Sequence, residues 1–422
     1  MICNFVHKFD DKQNGAARSG VWEDDVRNLP LVKSLARAAL LILAVGAGHA
    51  FAGAPVKVGV IGQFSGPFAL AGKQLKQSID VYVAQHGTKA GSHEVQFVYR
   101  DIGGSNPALA KSLAEQLIVK DGASILTGFF LSPEAAAVAP VINETKTPSV
   151  LSVSAGPQLL RMSPYFVRAG ENISQPAFAQ ANFAIENGKK RAYIAVADYA
   201  PGRDVEEAFT RRFKALGGEI VGVDHMPLNT VDYAPFAERI VNAKPDVVVT
   251  FLPNGAPSVS FFSALATQGV VKSTMVIGVA ETDDPDLPAF NDSIVGVYSS
   301  IFYSESLDNP ENVAFLKVMK EKFGPDQAVG VNNESPYDAI ELVYRMVAAQ
   351  GDGAFDPEAA MAAVKGYAWN SPSGPKRIDA KTREMIHNIY IRQVRKIDGK
   401  LQNVVVKTYE AVGNPWAESH PE

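Results

Sequence analysis

The stretch ILTGFFLSPEAAAVAPVINETKTPSVLSVSAG, residues 125–156, reads as one strand–helix–strand unit. Ala123 to Thr127 is apolar and short, the pattern of a strand covered on both faces. Pro133 to Glu144 has helical spacing, with Ser132 placed as its N-cap and Pro133 as its first helical residue. Ser149 to Ser154 then forms the next strand. Two turns, Thr127–Pro133 and Ser154-Ala155-Gly156, leave the same ends of adjacent parallel strands. A helix N-terminus offers N–H groups and a favourable dipole to an anion such as a carboxylate. The small residues of the second turn let backbone N–H groups approach a ligand closely. Plain helix capping accounts for the first turn equally well when it is taken alone.

The same unit repeats on either side. Val56 to Ile61 is a strand, Gly62 to Pro67 a turn cluster, and Leu70 to His86 a helix. Val95 to Arg100 (strand) and Pro107 to Lys120 (helix) follow. The alternation restarts with a helix at Phe178–Gly188, then strands at Arg191–Ala197, Glu219–Val223, Asp246–Phe251 and Thr274–Val279. Helices at Val205–Leu216, Tyr233–Ala243 and Ala256–Gln268 lie between those strands. Alternation of this kind predicts an α/β fold with parallel sheets covered on both faces, and ligands bind outside the carboxyl ends of such strands. Later, Pro310–Phe323, Ser335–Gln350 and Pro357–Val364 read as helices, and Ile386–Lys396 with Gln402–Tyr409 as a hairpin around Asp398-Gly399.

Upstream of the first strand lies an export signal. Arg27, Lys33 and Arg37 supply the positive region, Ala38 to Gly46 the short apolar region, and Ala50-Phe51-Ala52 a small-x-small cleavage site. Cleavage after Ala52 starts the mature chain at Gly53, and residues 1–52 are extension plus signal. A start at Val32 would by itself give a compact signal peptide, so residues 1–31 read as an over-extended beginning. The only cysteine, Cys3, precedes the cleavage site, which removes thiol chemistry and lipid attachment from the mature protein. A mature chain of about 370 residues is too long for one ordinary core, so two lobes are expected. The net charge of −5 contains no basic block that would mark a nucleic-acid or anionic-membrane partner.

Catalytic motifs fail on inspection. Gly66 to Lys73 misses phosphate-loop spacing, no G-x-G-x-x-G or G-x-S-x-G follows a strand, and the histidines after residue 52 are scattered. The acidic run Glu281–Asp286 reads as a cation site or, more simply, as a solvated loop or helix start. No enzyme activity, cofactor or metal is predicted.

The chain resembles the leucine/isoleucine/valine-binding protein family, the type I periplasmic receptors of ABC importers. The residues that carry this are VKVGVIGQFSGPFALAG (56–72), the 125–156 stretch quoted above, and VADYAPGRDVEEAF (196–209). YSESLDNPENVAFLKVMKEKFG (303–324), SPYDAIELVY (335–344) and IYIRQVRKIDGKLQNV (389–404) add to them. The resemblance implies two Rossmann-like lobes joined by a three-crossover hinge, with 53–170 and 301–386 in lobe 1 and 171–300 and 387–422 in lobe 2. It implies a monomeric periplasmic receptor that hands a small carboxylate, an amino acid or related organic acid, to the permease of an ABC importer. By position, Phe68, Leu131, Ser132, Ser154, Ala155 and Gly156 fall on the ligand-binding loops of lobe 1, and Tyr199, Asn254 and Glu281 on those of lobe 2. Ser132 falls where the family uses a serine for the ligand carboxylate, and Glu281 near the acid that holds an amino acid's ammonium group. Gly156 replaces a common Thr, Pro201 a common Tyr, Asn254 an aromatic and Ala71 a larger residue. These departures leave two further readings: a receptor for aromatic acids, with Phe68, Phe129, Phe130 and Tyr199 lining the ligand, or a ligand sensor of the same fold.

Overall fold

The computed structural model describes residues 53–421; the expected extension, signal and cleavage site lie outside them. Two sheets organise the chain. The first has the order β2-β3-β1-β4-β5-β6. Its members are β1 (Gly53–Gly62), β2 (Lys89–Ala90), β3 (His93–Asp101), β4 (Ile125–Gly128), β5 (Ser149–Leu151) and β6 (Phe166–Arg168). All neighbours pair in parallel except the short β2, which runs antiparallel to β3. The second sheet has the order β12-β13-β14-β11-β10-β9-β7-β8, with β15 paired to β14. Its parallel half comprises β7 (Arg191–Ala197), β8 (Glu219–Met226), β9 (Val247–Phe251), β10 (Met275–Gly278) and β11 (Tyr298–Ile301). The antiparallel half comprises β12 (Ala368–Ser371), β13 (Gly374–Ile378), β14 (Met385–Ile397) and β15 (Lys400–Val412).

Each parallel half contains a reversal of strand order. From β1 the chain moves to β3 on one side and then to β4 on the other; from β7 it moves to β8 and then to β9. The loops leaving β1 and β4, and those leaving β7 and β9, therefore part in opposite directions and open a crevice at the carboxyl ends of the strands. Both crevices hold the loops expected to bind ligand.

The apolar strands are buried because helices cover both faces. α1 (Ala69–His86), α2 (Pro107–Glu115) and α3 (Ser132–Thr145) pack with the first sheet around Val58, Val60, Leu126 and Ile142. α4 (Ser174–Glu186) and α5 (Ala200–Ala215) form one core of the second sheet with Ile194, Phe209 and Phe213. α6 (Ala234–Ala243) and α7 (Ala256–Thr267) form the other with Ile240, Phe261 and Phe262. After the short α8 (Val270–Ser273), α9 (Pro310–Phe323) leads to α10 (Val331–Ala348) and α11 (Pro357–Val364). α10 packs against α1, and the Ser78 hydroxyl donates to the Asn333 carbonyl at 2.6 Å. α12 (Pro415–Ser419) ends the described chain.

Four elements differ from the sequence reading. The helix expected from Pro107 to Lys120 is α-helical only to Glu115 and closes as a π-turn over Gln116–Lys120. The strand expected to reach Ser154 stops at Leu151: Ser152 N makes the last regular bond, to Gly128 O, and Ser154 N then turns to Phe129 O at the kink of the neighbouring strand end. β12 and β13 lie in the 301–386 stretch expected with lobe 1 but join the second sheet through β14. Ile378 and Met385, at the ends of that pairing, still pack into the first core. The acidic run is no solvated loop: Asp283 is buried, binds Arg392 Nη1 at 2.8 Å and accepts the Val331 N–H at 2.9 Å.

Candidate functional site

The first-lobe half of the site begins with a kink. Gly128 has φ +106, and a Cβ there would lie 2.1 Å from the Ile61 carbonyl oxygen. Phe129 follows with φ +62, which a bulky side chain rarely adopts, yet its ring is fully buried in the core. Hydrogen bonds hold the kink on both sides: Phe129 N–H donates to Ile61 O at 3.0 Å, and Ser154 donates to Phe129 O through its N–H at 3.1 Å and its hydroxyl at 2.5 Å. The kink turns Phe130, Leu131 and Ser132 out of the sheet and toward the crevice.

Ser132 is not the N-cap. Leu131 takes that place in extended conformation, and Ser132 is the first residue of α3 with no capping bond from its side chain. Its Oγ instead accepts the Gly156 N–H at 3.1 Å, which joins the two expected turns. A Cβ on residue 156 would stand 3.0 Å from that same Oγ, so the glycine leaves the contact uncrowded. With one lone pair occupied by an amide, the Ser132 hydroxyl has its proton to donate outward, next to the positive end of α3.

The Ser154–Gly156 turn is held from behind by Arg168, a fully buried side chain that the sequence reading missed. Its Nη2 donates to Gly156 O at 2.7 Å, its Nη1 donates to Ser154 O, and its Nε pairs with Glu384 at 2.7 Å. Ile173 N–H takes the Ala155 carbonyl at 3.0 Å. All three carbonyls of the turn are thus engaged by the protein. The Ser154 hydroxyl is committed to Phe129 O, so Ser154 shapes the turn rather than presenting a donor to a ligand.

Aromatic walls flank this pole. Phe68 closes the one-turn helix Gly66–Phe68 and packs against Phe130, with ring centroids 5.5 Å apart. Asp101 pins that loop by accepting the N–H groups of Phe64 and Gly103 at 2.8 and 2.9 Å. Of the two candidate phenylalanines, Phe130 is half-buried at the crevice and Phe129 is core.

In the second lobe, Tyr199 precedes α5 in extended conformation and stacks on Phe251 at 6.0 Å. Burial, and then the charge of nearby Glu281, raise the Tyr199 hydroxyl above its ordinary range. Glu281 is only 1% exposed. Its carboxylate accepts from Thr250 Oγ1 at 2.8 Å, Val279 N at 2.6 Å and Leu252 N at 3.3 Å. Burial pushes its pKa up to about 7 against those three donors. Asn254 is exposed and donates to Ala280 O at 2.9 Å and Asp286 at 2.6 Å, bracing two loops of its own lobe.

The structure therefore pairs Ser132 with Gly156, Phe68 with Phe130, and Tyr199 with Phe251. Asn254, Leu131 and Ser154 serve the loops themselves. Sequence reasoning missed Arg168 and Phe251. For Phe251 a signal existed, since it ends the expected strand Asp246–Phe251, and the fold places ligand contacts at such strand ends.

The chain is similar to known proteins over most of its length. The family described as periplasmic binding protein matches residues 55–400. A Leu/Ile/Val-binding protein homolog 6 of Brucella melitensis biotype 1 is 38% identical over 387 residues, covering 91% of this chain and 99% of the relative. A solute-binding protein of an ABC transporter from Rhodopseudomonas palustris HaA2, solved with p-hydroxybenzoic acid, superposes with a TM-score of 0.82 at 40% identity, covering 87% of this chain and all of that one. A second from strain BisB5, solved with 3,4-dihydroxybenzoic acid, gives 0.79 at 35% identity, covering 86% and 99%.

Proposed function

Because this chain belongs to the periplasmic binding protein family, as a solute-binding protein of the Leu/Ile/Val-binding type that serves ABC transporters, we propose that its own cargo is an aromatic carboxylate. The carrying observation is the division of labour in the crevice. One pole, Ser132 with the start of α3, suits a carboxylate; the walls beside it, Phe68, Phe130 and Tyr199, are aromatic. The acid that would hold an ammonium group, Glu281, has three donors from its own lobe and a pKa raised to about 7 by burial, so it can stay neutral beside a ligand that brings no cation. Benzoic acids bound to relatives at 35–40% identity support the same class.

No chemistry follows binding. Ligand held between the lobes shifts an open–closed equilibrium, and the closed form docks on an ABC permease of the inner membrane. The protein works as a periplasmic monomer after cleavage behind Ala52; among the described residues no helix is long and apolar enough to cross a membrane.

A thermal-shift screen of the purified protein against amino acids, aromatic acids and short aliphatic acids tests the reading. A ligand present at 100 times its dissociation constant adds about 2.7 kcal/mol of stability. Stabilisation by hydroxybenzoates and not by leucine, isoleucine or valine is the expected pattern; stabilisation by branched-chain amino acids alone would return Glu281 to the ammonium role and overturn the proposal.

A further inference from the structure

Gln63 leaves β1 at the point where the strand order of the first sheet reverses, and it is 1% exposed. Its Nε2 donates to the buried Glu134 carboxylate at 2.7 Å, which fixes the amide orientation. Its Oε1 is then directed elsewhere and, among the described residues, has no hydrogen-bond partner. An orphaned buried acceptor costs on the order of 1–3 kcal/mol, so its persistence calls for an explanation. The explanation lies beside it. Gln63 lines a small cavity with Ser152 and Asn332 as the other polar members and Leu75, Phe130 and Val153 as apolar walls. The space between them, about 10 Å³, fits one water-sized group and no ring. Ser152 already shares a hydrogen bond with Thr127, whereas Asn332 brings an amide from the first turn of α10. Phe130, which forms one wall, stands two residues before Ser132 and packs against Phe68, so the cavity adjoins the proposed carboxylate pole.

Resting on the aromatic-carboxylate reading, we infer that this cavity is a substituent subsite that selects a ring hydroxyl on the ligand. The hydroxyl proton is donated to Gln63 Oε1, and its oxygen accepts from the Asn332 amide. A hydroxyl is small enough for the space and both donates and accepts, which suits the Gln63 oxygen and the Asn332 amide together. A methoxy group lacks the proton and exceeds the space, and an unsubstituted ring leaves the acceptor unpaired. Sites built around a buried polar group reject analogues that lack its partner.

Calorimetric titration of wild type, Gln63→Met, Asn332→Leu and Ser132→Ala with benzoate, 4-hydroxybenzoate and 4-methoxybenzoate tests this. Wild type should prefer 4-hydroxybenzoate over benzoate by about tenfold, the scale of one hydrogen bond with its buried partner. Gln63→Met should bring that ratio to within about twofold. Asn332→Leu, which does not touch Glu134, should lower the ratio too and keeps the test decisive if Gln63→Met folds poorly. Ser132→Ala should weaken all benzoates alike and leave the ratio intact. An unchanged ratio in both subsite variants, as a water-filled structural void would give, overturns the subsite while the carrier reading stands. Wild type that binds no benzoate at all overturns the carrier reading itself.

Discussion

Ser132 illustrates how a single hydroxyl acquires a direction. The Gly156 amide occupies its oxygen, so the proton is the part left to offer, and a ligand carboxylate beside the start of α3 is the partner it suits. Ser132→Ala should therefore weaken binding of the aromatic acid by roughly 1–2 kcal/mol, measured by titration calorimetry. Unchanged affinity would place the carboxylate elsewhere. Glu281 makes a separate prediction. Its folded pKa of about 7 lies above the ordinary 4.5, so in that window the folded protein keeps a proton that the unfolded chain has released. The contribution of this group to stability is thus unimpaired below about pH 4.5, falls as pH rises toward 7, and levels off beyond. Tyr199 is the titratable neighbour that faces it, and its raised pKa keeps it neutral throughout that window. Urea unfolding from pH 4.5 to 7.5 should show wild type losing on the order of 3 kcal/mol relative to Glu281→Gln. Parallel profiles for the two proteins would show that the carboxyl titrates normally.

At the scale of elements, the site depends on how strands end. Gly128 permits the kink after β4; Gly128→Ala would force a Cβ against the Ile61 carbonyl in a left-handed conformation. A loss of more than about 2 kcal/mol in urea unfolding is expected, with affinity falling as the Phe130–Ser132 segment shifts. Wild-type stability would mean that the strand end relaxes without cost. Much at this scale was legible in the sequence, because periodicity reports burial. Arg191–Ala197, Pro310–Phe323 and Pro357–Val364 have the bounds that their apolar spacing implied. The hairpin at Asp398-Gly399 follows from two residues that accept positive φ, +51 and +79. What periodicity could not report was tertiary. The positive φ of Phe129 is imposed by hydrogen bonds to β1 and to Ser154, both distant in sequence, and nothing in the local composition signals it. Ser132 followed by Pro133 carries every local mark of an N-cap, yet Gly156 claims its oxygen instead. β12 and β13 are short and polar, and only their pairing to β14 makes them strands. Which lobe loops would oppose each other was legible from the repeated β-α order, whereas the roles of Arg168 and Gln63 depend on groups far along the chain.

For the whole molecule, the chain must pass between two sheets without letting them drift apart, and buried charges mark those passages. Arg168, at the end of the first sheet, pairs with Glu384, which lies just before β14 of the second. Lys376 on β13 reaches Glu334 at 2.9 Å and also binds Asp338, both on α10, with all three side chains fully buried. Lys376→Met would leave two buried carboxylates facing each other without a cation, and should cost about 3–5 kcal/mol in chemical unfolding. A neutral result would mean that one carboxyl simply takes up a proton. These pairs tie the crossovers to the ligand turn, since Arg168 also holds the carbonyls of Ser154 and Gly156. The central claim is that closure of the two lobes encloses an aromatic carboxylate with its acid group on Ser132. The structure of the protein crystallised with 4-hydroxybenzoate tests it most directly. The carboxylate should lie within hydrogen-bonding distance of Ser132 Oγ, the ring between Phe130 and Tyr199, and Glu281 should still be bound to Thr250 and Val279. A carboxylate bound away from Ser132, or an amino acid in the crevice with its ammonium on Glu281, would contradict it.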